Sequence, residues 1–248
     1  MWLGSSSDAV DQTILSDQEH RIKLFANTVL QFFVSHPTLS TDVHSVKLRV
    51  KGRDNLLGKL KRKKDLGVTV SGENIFELIT DLAGVRVFHI HAAQFKPIHD
   101  AIMTQVKSGD WVLGEDPKVF SWDPEADEFF RGLGFDPEIR PTFYTSVHYL
   151  VRPSAESDLC CEIQVRTLFE EIWGEVDHSM NYPRPVQSIA CREQLRALSK
   201  LVGTGGRLVD SIIRSREEAD TLNASLSVVA GASSIPTNSR KALSSASK

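Results

Sequence analysis

Apolar residues recur at helical spacing in Ile22, Phe25, Ala26, Val29, Leu30 and Phe33, and Ser16 with Glu19 forms a capping box ahead of them. A helix is therefore predicted to begin after Ser16 and to end at His36-Pro37. The period then switches to two. Val46, Leu48 and Val50 alternate with Lys47, Arg49 and Lys51, which predicts a strand with one apolar and one cationic face, Arg49 and Lys51 pointing the same way. Asp54 can cap a second helix that turns Leu56, Leu57 and Leu60 inward and carries Lys59 and Lys63 on another side. A helix through Ile75, Phe76 and Ile79 leads into a strand from Gly84 to Ile90, and Phe95, Ile98, Ile102 and Val106 mark the next helix.

A short strand is predicted near Trp111 to Leu113. The stretch from Gly114 to Pro141, rich in Gly, Pro and acidic residues, reads as a long loop with one helical turn around Glu125 to Arg131. Strands at Ser146 to Val151 and Leu159 to Val165, separated by a turn near Pro153 to Asp158, should pair. Helices follow at Leu168 to Met180 and Ile189 to Glu218, the second weakened at Gly203 to Gly206. Residues 1–15 and 222–248 offer no apolar face and are predicted to be disordered, which leaves one domain over 16–221. The element order implies an α+β fold, a mixed sheet of about five strands flanked by helices.

Composition sharpens this in three ways. With 41% hydrophobic residues, 248 residues suffice for one sizeable core. No apolar stretch approaches the ~20 residues needed to span a bilayer, so a soluble protein is expected. Cys160, Cys161 and Cys191 are too few and too oddly placed for a disulfide framework, which fits a reducing cytoplasm. The formal charge of −3 hides a local concentration, because nine basic residues lie between Lys47 and Lys64 against the single acid Asp54. Such a run suits a polyanion, although a solvated helix face would read the same way.

Candidate chemistry lies in two separated segments. In Cys161-Glu-Ile-Gln-Val-Arg166 the apolar residues alternate with Glu162, Gln164 and Arg166, so one strand face is wholly polar; it either faces water at an edge or opens on a site. Asp81 sits just before the strand that starts at Gly84. A carboxylate from each of two adjacent strands suits Mg²⁺, which takes one or two protein oxygens and completes its shell with water and phosphate. The basic strand and helix would then hold a polyphosphate, as a phosphoryl-transfer site requires. There is no Walker loop and no kinase-type Gly-rich loop, so side chains must grip the phosphates. His89-Ile-His91 lacks further metal ligands, and Phe169 and Trp173 share the spacing of Ile172 and Val176; these are read as structural.

Val46-Lys-Leu-Arg-Val-Lys51 with Lys59, Asp81-Leu-Ala-Gly-Val-Arg86, Tyr144-Thr-Ser-Val-His148, and the seventeen residues Glu162 to His178 closely resemble, in order, the motifs of the RelA/SpoT alarmone synthetase domain. The resemblance runs from about Val43 to Tyr182 and looks like a stand-alone small synthetase, with no hydrolase domain before it and no regulatory domain after it. It implies a nucleotidyltransferase-like fold and transfer of the β,γ-pyrophosphate of ATP to the 3′-hydroxyl of GDP or GTP. Arg49 and Arg86 would sandwich the adenine, Lys51 and Lys59 would hold ATP phosphates, and Asp81 and Glu162 would bind Mg²⁺, Glu162 also helping to deprotonate the acceptor. Tyr144 would stack on the acceptor base, with Arg140, His148, Gln164 and Arg166 contacting its phosphates or ordering the site.

The acceptor segment departs from the family pattern. Arg140 stands where the family has lysine, Phe143 where it has glycine, and Thr145 where it has a basic residue, which predicts a loop of different shape. Asn55 replaces a serine upstream. Two alternatives follow: a toxin-like enzyme that pyrophosphorylates the 3′ end of tRNA, and a non-catalytic nucleotide-binding regulator, which retention of Asp81 and Glu162 argues against. A homo-oligomer is compatible with the sequence, which marks no interface.

Overall fold

The computed structural model describes residues 6–51, 53–70, 74–140, 142–181 and 186–232. The chain divides into two compact units, Met1–Val209 and Asp210–Lys248. The first unit holds α1 (Ser6–Ser35), β1 (Ser45–Val50), α2 (Arg53–Asp65), α3 (Ile75–Leu78), β2 (Ala83–His89), α4 (Phe95–Ser108), β3 (Val112–Phe120), α5 (Pro124–Gly132), β4 (Ser146–Arg152), β5 (Cys161–Thr167) and α6 (Leu168–Asn181). It also holds the start of α7 (Ile189–Ala232), whose continuation to Ala232 is the described part of the second unit.

The five strands form one mixed sheet in the order β1-β2-β5-β4-β3. Only β2 and β5 run parallel; the other three neighbours are antiparallel, including the expected β4–β5 pair. Period-two alternation divides the sheet into two faces. One face is dry: Val85, Val87, Val147, Tyr149, Ile163 and Val165 are buried and join Val29 and Phe33 of α1 and Ile98 and Ile102 of α4 in a single cluster. On the other face the register aligns Lys47, Arg86, Gln164, His148 and Lys118 in one row across all five strands. The next row is Arg49, Gly84, Glu162, Leu150 and Glu115. The site lies on this face.

Four expectations change. The first helix starts at Ser6, ahead of the capping box at Ser16. The segment read as a loop from Gly114 carries strand β3 on to Phe120, with register shifts between Leu113 and Glu115 and between Glu115 and Lys118. These bulges admit Pro117 at a sheet edge and blur the alternation by which a strand is recognised. The helical turn near Glu125 is a full helix, α5, capped by Asp123, whose carboxylate accepts from the amides of Glu125 and Ala126. Finally, α7 runs unbroken through Gly203 to Gly206. The cap at Asp54 and the positions Leu57, Phe76, Asn55 and Tyr182 lie outside the described side chains.

Two of the α7 glycines, Gly203 and Gly205, allow close approach. A Cβ on Gly205 would lie 2.9 Å from the ring of Phe169, so α7 packs directly on α6 at that point, whereas a Cβ on Gly206 would meet nothing within 4 Å. Neighbouring substitutions should therefore act in opposite directions. Gly206→Ala should stabilise by about 0.5–1 kcal/mol through helix propensity, and Gly205→Val should destabilise by about 1–3 kcal/mol through overpacking, both read from denaturant midpoints.

His89 is used structurally: it is buried, its Nδ1 donates to the carbonyl of His91 at 3.0 Å, and burial pulls its pKa down to about 4. Between the ordinary 6.5 and about 4 the unfolded chain takes up a proton that the folded chain refuses, so stability falls as pH falls through that window. Acid titration of the unfolding free energy should show this fall, with a slope of up to ~1.4 kcal/mol per pH unit, and His89→Asn, which keeps a donor, should flatten it.

Candidate active site

Two groups of side chains occupy the polar face, and the first surrounds Asp81. The amide of Lys51, just past β1, donates to the carbonyl of Leu82 at 2.9 Å, which fixes the turn before β2 against the strand end. The turn then presents Asp81 to two ammonium groups, Lys51 Nζ at 2.5 Å and Lys59 Nζ of α2 at 2.6 Å. Burial pushes the Asp81 carboxyl up, but the two lysines outweigh it and hold the pKa below the ordinary carboxylate value. Arg49, two residues before Lys51 on the same face, borders this group across from Gly84.

The second group surrounds Glu162. Its Oε2 accepts from Gln164 Nε2 at 2.7 Å, and its Oε1 lies 2.9 Å from His148 Nδ1. Burial raises the Glu162 pKa, yet these two partners bring it below the ordinary value, so the carboxylate is ionised and accepts. His148 Nδ1 then carries the proton, and the ring's Nε2 lies 3.0 Å from the Tyr144 hydroxyl. Asp81 acts on Glu162 through its charge, which places the two carboxylates in one electrostatic neighbourhood. An open cleft of about 410 Å³ is lined by Glu162, His148, Tyr144, Arg140, Thr142, Phe120, Lys118, Glu115 and Asp177. Arg140 reaches it because Glu138 pairs with the end of β3, its amide donating to Val119 and its carbonyl accepting from Ser121, which brings the chain back beside Phe120 after α5. The Arg140 guanidinium lies 4.0 Å above the Phe120 ring.

Of the acceptor residues read from the sequence, Arg140, Tyr144 and His148 thus line the cleft, and Gln164 orients Glu162. Arg166 is buried below it, 5.8 Å from the Tyr144 ring, and pairs with Glu171. The Tyr144 ring is also packed, 6.1 Å from both Phe120 and Trp173. On the donor side Lys51, Lys59 and Asp81 come together as expected. Arg86 does not turn toward Arg49: its guanidinium is held by Glu171 at 2.9 Å and Glu175 at 2.5 Å on α6. Stacking on a base would have to exchange these pairs.

Glu171 and Glu175 are the residues that sequence reasoning passed over. They lie one turn apart on α6 and neutralise Lys47, Arg86 and Arg166 together. Their signal was their spacing, two carboxylates at i and i+4 on the helix that follows the Arg166 strand. Trp173, read as core, is buried, and its indole N–H donates to the carbonyl of Leu195 on α7 at 3.0 Å. Asp177 was also missed, as its side chain enters the cleft only because α6 crosses this face.

In the loop before Tyr144, Phe143 takes φ 62°, the left-handed conformation that a glycine would adopt without strain. Its ring packs beside Trp122 and Arg196. Among the described residues no group of three or more His, Cys, Asp or Glu is placed to hold a metal, and no helix is long and apolar enough to cross a membrane.

Residues 48–187 match a family described as the region found in RelA / SpoT proteins. No curated protein sequence matches the chain. Among solved structures, a GTP pyrophosphokinase family protein from Streptococcus pneumoniae aligns with a TM-score of 0.60 at 18% identity, over 85% of this chain and 96% of that one. The small alarmone synthetase 1 from Bacillus subtilis bound to its product pppGpp aligns with a TM-score of 0.56 at 18% identity, over 84% and 96%. The same protein bound to AMPCPP gives 0.53 at 17%, over 84% and 97%. At these identities the alignments establish the fold.

The ion pairs beneath α6 should differ sharply in weight. Glu171→Gln leaves the guanidinium groups of Arg86 and Arg166 under-compensated where they are buried, and should cost about 3–5 kcal/mol of unfolding free energy. Glu175, whose side chain is half exposed, should cost under about 1 kcal/mol as Glu175→Gln. Paired urea titrations decide between these and an equal effect.

Proposed function

The chain belongs to the RelA/SpoT family, and from that premise we propose that it is a pyrophosphokinase, moving the β,γ-pyrophosphate of ATP onto the 3′-hydroxyl of GDP or GTP. The observation that carries this reading is the meeting, on one sheet face, of a carboxylate clasped by two lysines and a second carboxylate that opens on a cleft. The first suits the donor's phosphates, the second an acceptor hydroxyl. In the transfer the acceptor 3′-oxygen bonds to the β-phosphorus, the bond from that phosphorus to the α,β-bridging oxygen breaks, AMP leaves with the electron pair, and the hydroxyl gives up its proton.

The residues present fit Mg²⁺. Two ionised carboxylates in each other's field, with no larger ligand cluster among the described residues, suit a hard cation that arrives largely coordinated by phosphates. Asp81 and Glu162 would hold it, and when bound it would neutralise polyphosphate charge. Lys51 and Lys59 can turn from Asp81 to the phosphates without leaving the site. Arg49 offers a planar guanidinium for the adenine. At the cleft, Gln164 and His148 keep the Glu162 carboxylate oriented, and His148 lies beside it to share a proton released from the hydroxyl. Tyr144 would stack on the acceptor base, while Arg140 and Lys118 supply cations to the cleft. Free guanine nucleotides as substrates would suit a cytoplasmic enzyme.

Labelled ATP offered together with GDP, GTP and tRNA should yield AMP and label on guanine nucleotide. Asp81→Asn and Glu162→Gln should each reduce turnover by at least about a hundredfold while the circular dichroism spectrum is kept. Near-normal turnover in both folded variants would refute the metal assignment. Label on tRNA alone would transfer the acceptor role to RNA, for which the exposed Lys61, Arg62 and Lys64 of α2 are the candidate surface.

A further inference from the structure

Phe143 is the one non-glycine residue among those described with a positive φ, 62°. There the Cβ of an L-residue crowds its own carbonyl, and a bulky side chain persists only where the surroundings over-determine it. Here they do so twice. The Phe143 amide donates to the carbonyl of Arg140 at 2.9 Å, closing a turn. Its ring lies 5.3 Å from that of Trp122 at an interplanar angle of 38°, with the Arg196 guanidinium of α7 5.8 Å from the ring centroid.

Trp122 is itself fixed. It lies between the end of β3 and the start of α5, next to the buried Asp123. Asp123 accepts from the amides of Glu125 at 3.0 Å and Ala126 at 3.4 Å, and it pairs with Arg207 of α7. Gly203 lets α7 approach this corner: a Cβ there would lie 3.0 Å from Asp123 Oδ2 and 3.4 Å from the Trp122 ring. The corner is therefore braced from β3, α5 and α7. The turn it holds carries Arg140 at one end and Tyr144 directly after Phe143, and both line the cleft.

We propose that Phe143, docked on Trp122 and Arg196, is a positioning residue that sets Tyr144 and Arg140 for the acceptor, so that acceptor affinity depends on the Trp122–Phe143 pair while donor binding does not. This rests on the acceptor reading of the cleft given above. A glycine would reach the same φ without strain but would leave the turn unanchored; the aromatic ring exchanges backbone ease for a fixed position.

Two measurements on the full chain test it. In the transfer assay, Phe143→Gly and Trp122→Ala should each raise the acceptor KM about five- to tenfold, the scale of one aromatic pair, with ATP KM and saturated turnover within about twofold. The double variant should be no worse than either single one, and Trp122→Phe should restore the wild-type value. An unchanged acceptor KM, an equal rise in ATP KM, or additive losses would overturn the proposal. Hydrogen exchange without nucleotide supplies the second readout: the amides of residues 142–145 should exchange faster in Phe143→Gly and Trp122→Ala than in the wild type. Unchanged exchange overturns the clamp. If neither GDP nor GTP accepts label, the acceptor reading fails, and exchange alone then decides for or against the clamp.

Discussion

Burying a guanidinium without a carboxylate costs several kcal/mol, and that constraint organises the charged side of this sheet. Arg166 has 3% of its side chain exposed and Arg86 has 11%, and α6 answers both with Glu171. The pairing leaves α6 little freedom of rotation. With Glu171 and Glu175 turned to the sheet, Trp173 meets α7 through its indole N–H, and Asp177 comes to the wall of the cleft. The orientation of one helix is thus set by the charges beneath it, and the cleft's shape follows from that orientation.

The dry face of the sheet was legible because strands with one buried face must alternate, as Val46 to Lys51 and Cys161 to Arg166 do without interruption. The polar face was legible for the same reason, and with it Lys51, Glu162 and Gln164, whereas Asp81, Lys59 and His148 lie outside that alternation or are ambiguous in it and were assigned through the resemblance of their segments. What stayed hidden depended on partners distant in sequence. β3 loses its alternation at two register shifts, so nothing local distinguishes it from a loop. Gly203 and Gly205 of α7 lower helix propensity, and only the Asp123–Trp122 corner and the ring of Phe169 explain them. Glu171 and Glu175 look like solvated helix residues until the cations they face are known. Phe143 is the reverse case: its departure from glycine was visible, but its backbone was decided by Trp122, twenty-one positions earlier.

The Asp81 group and the cleft beside Glu162 share the sheet but are stabilised by different means. The first is rich in mobile charge, with Lys51 and Lys59 on separate elements converging on one carboxylate. The second is built from rings: Tyr144, His148, Phe120 and Trp173 pack edge to face or tilted, with Arg166 over Tyr144. Lysine side chains rearrange readily, whereas packed rings do not. Under the proposed reading, a polyphosphate would be accepted by a shift of side chains, while the acceptor would meet a surface already in place.

The clasp on Asp81 bears on how strongly the basic run acts on a polyanion. Two ammonium groups of the basic run between Lys47 and Lys64 are satisfied by an internal counterion, and Glu171 and Glu175 shield Lys47 in the same way. To a passing stretch of nucleic acid the run presents a weaker field than its composition suggests, since paired charges release few counterions on contact. Under the pyrophosphokinase reading, a compact polyphosphate with its own cation would enter by exchanging partners with the clasp one for one.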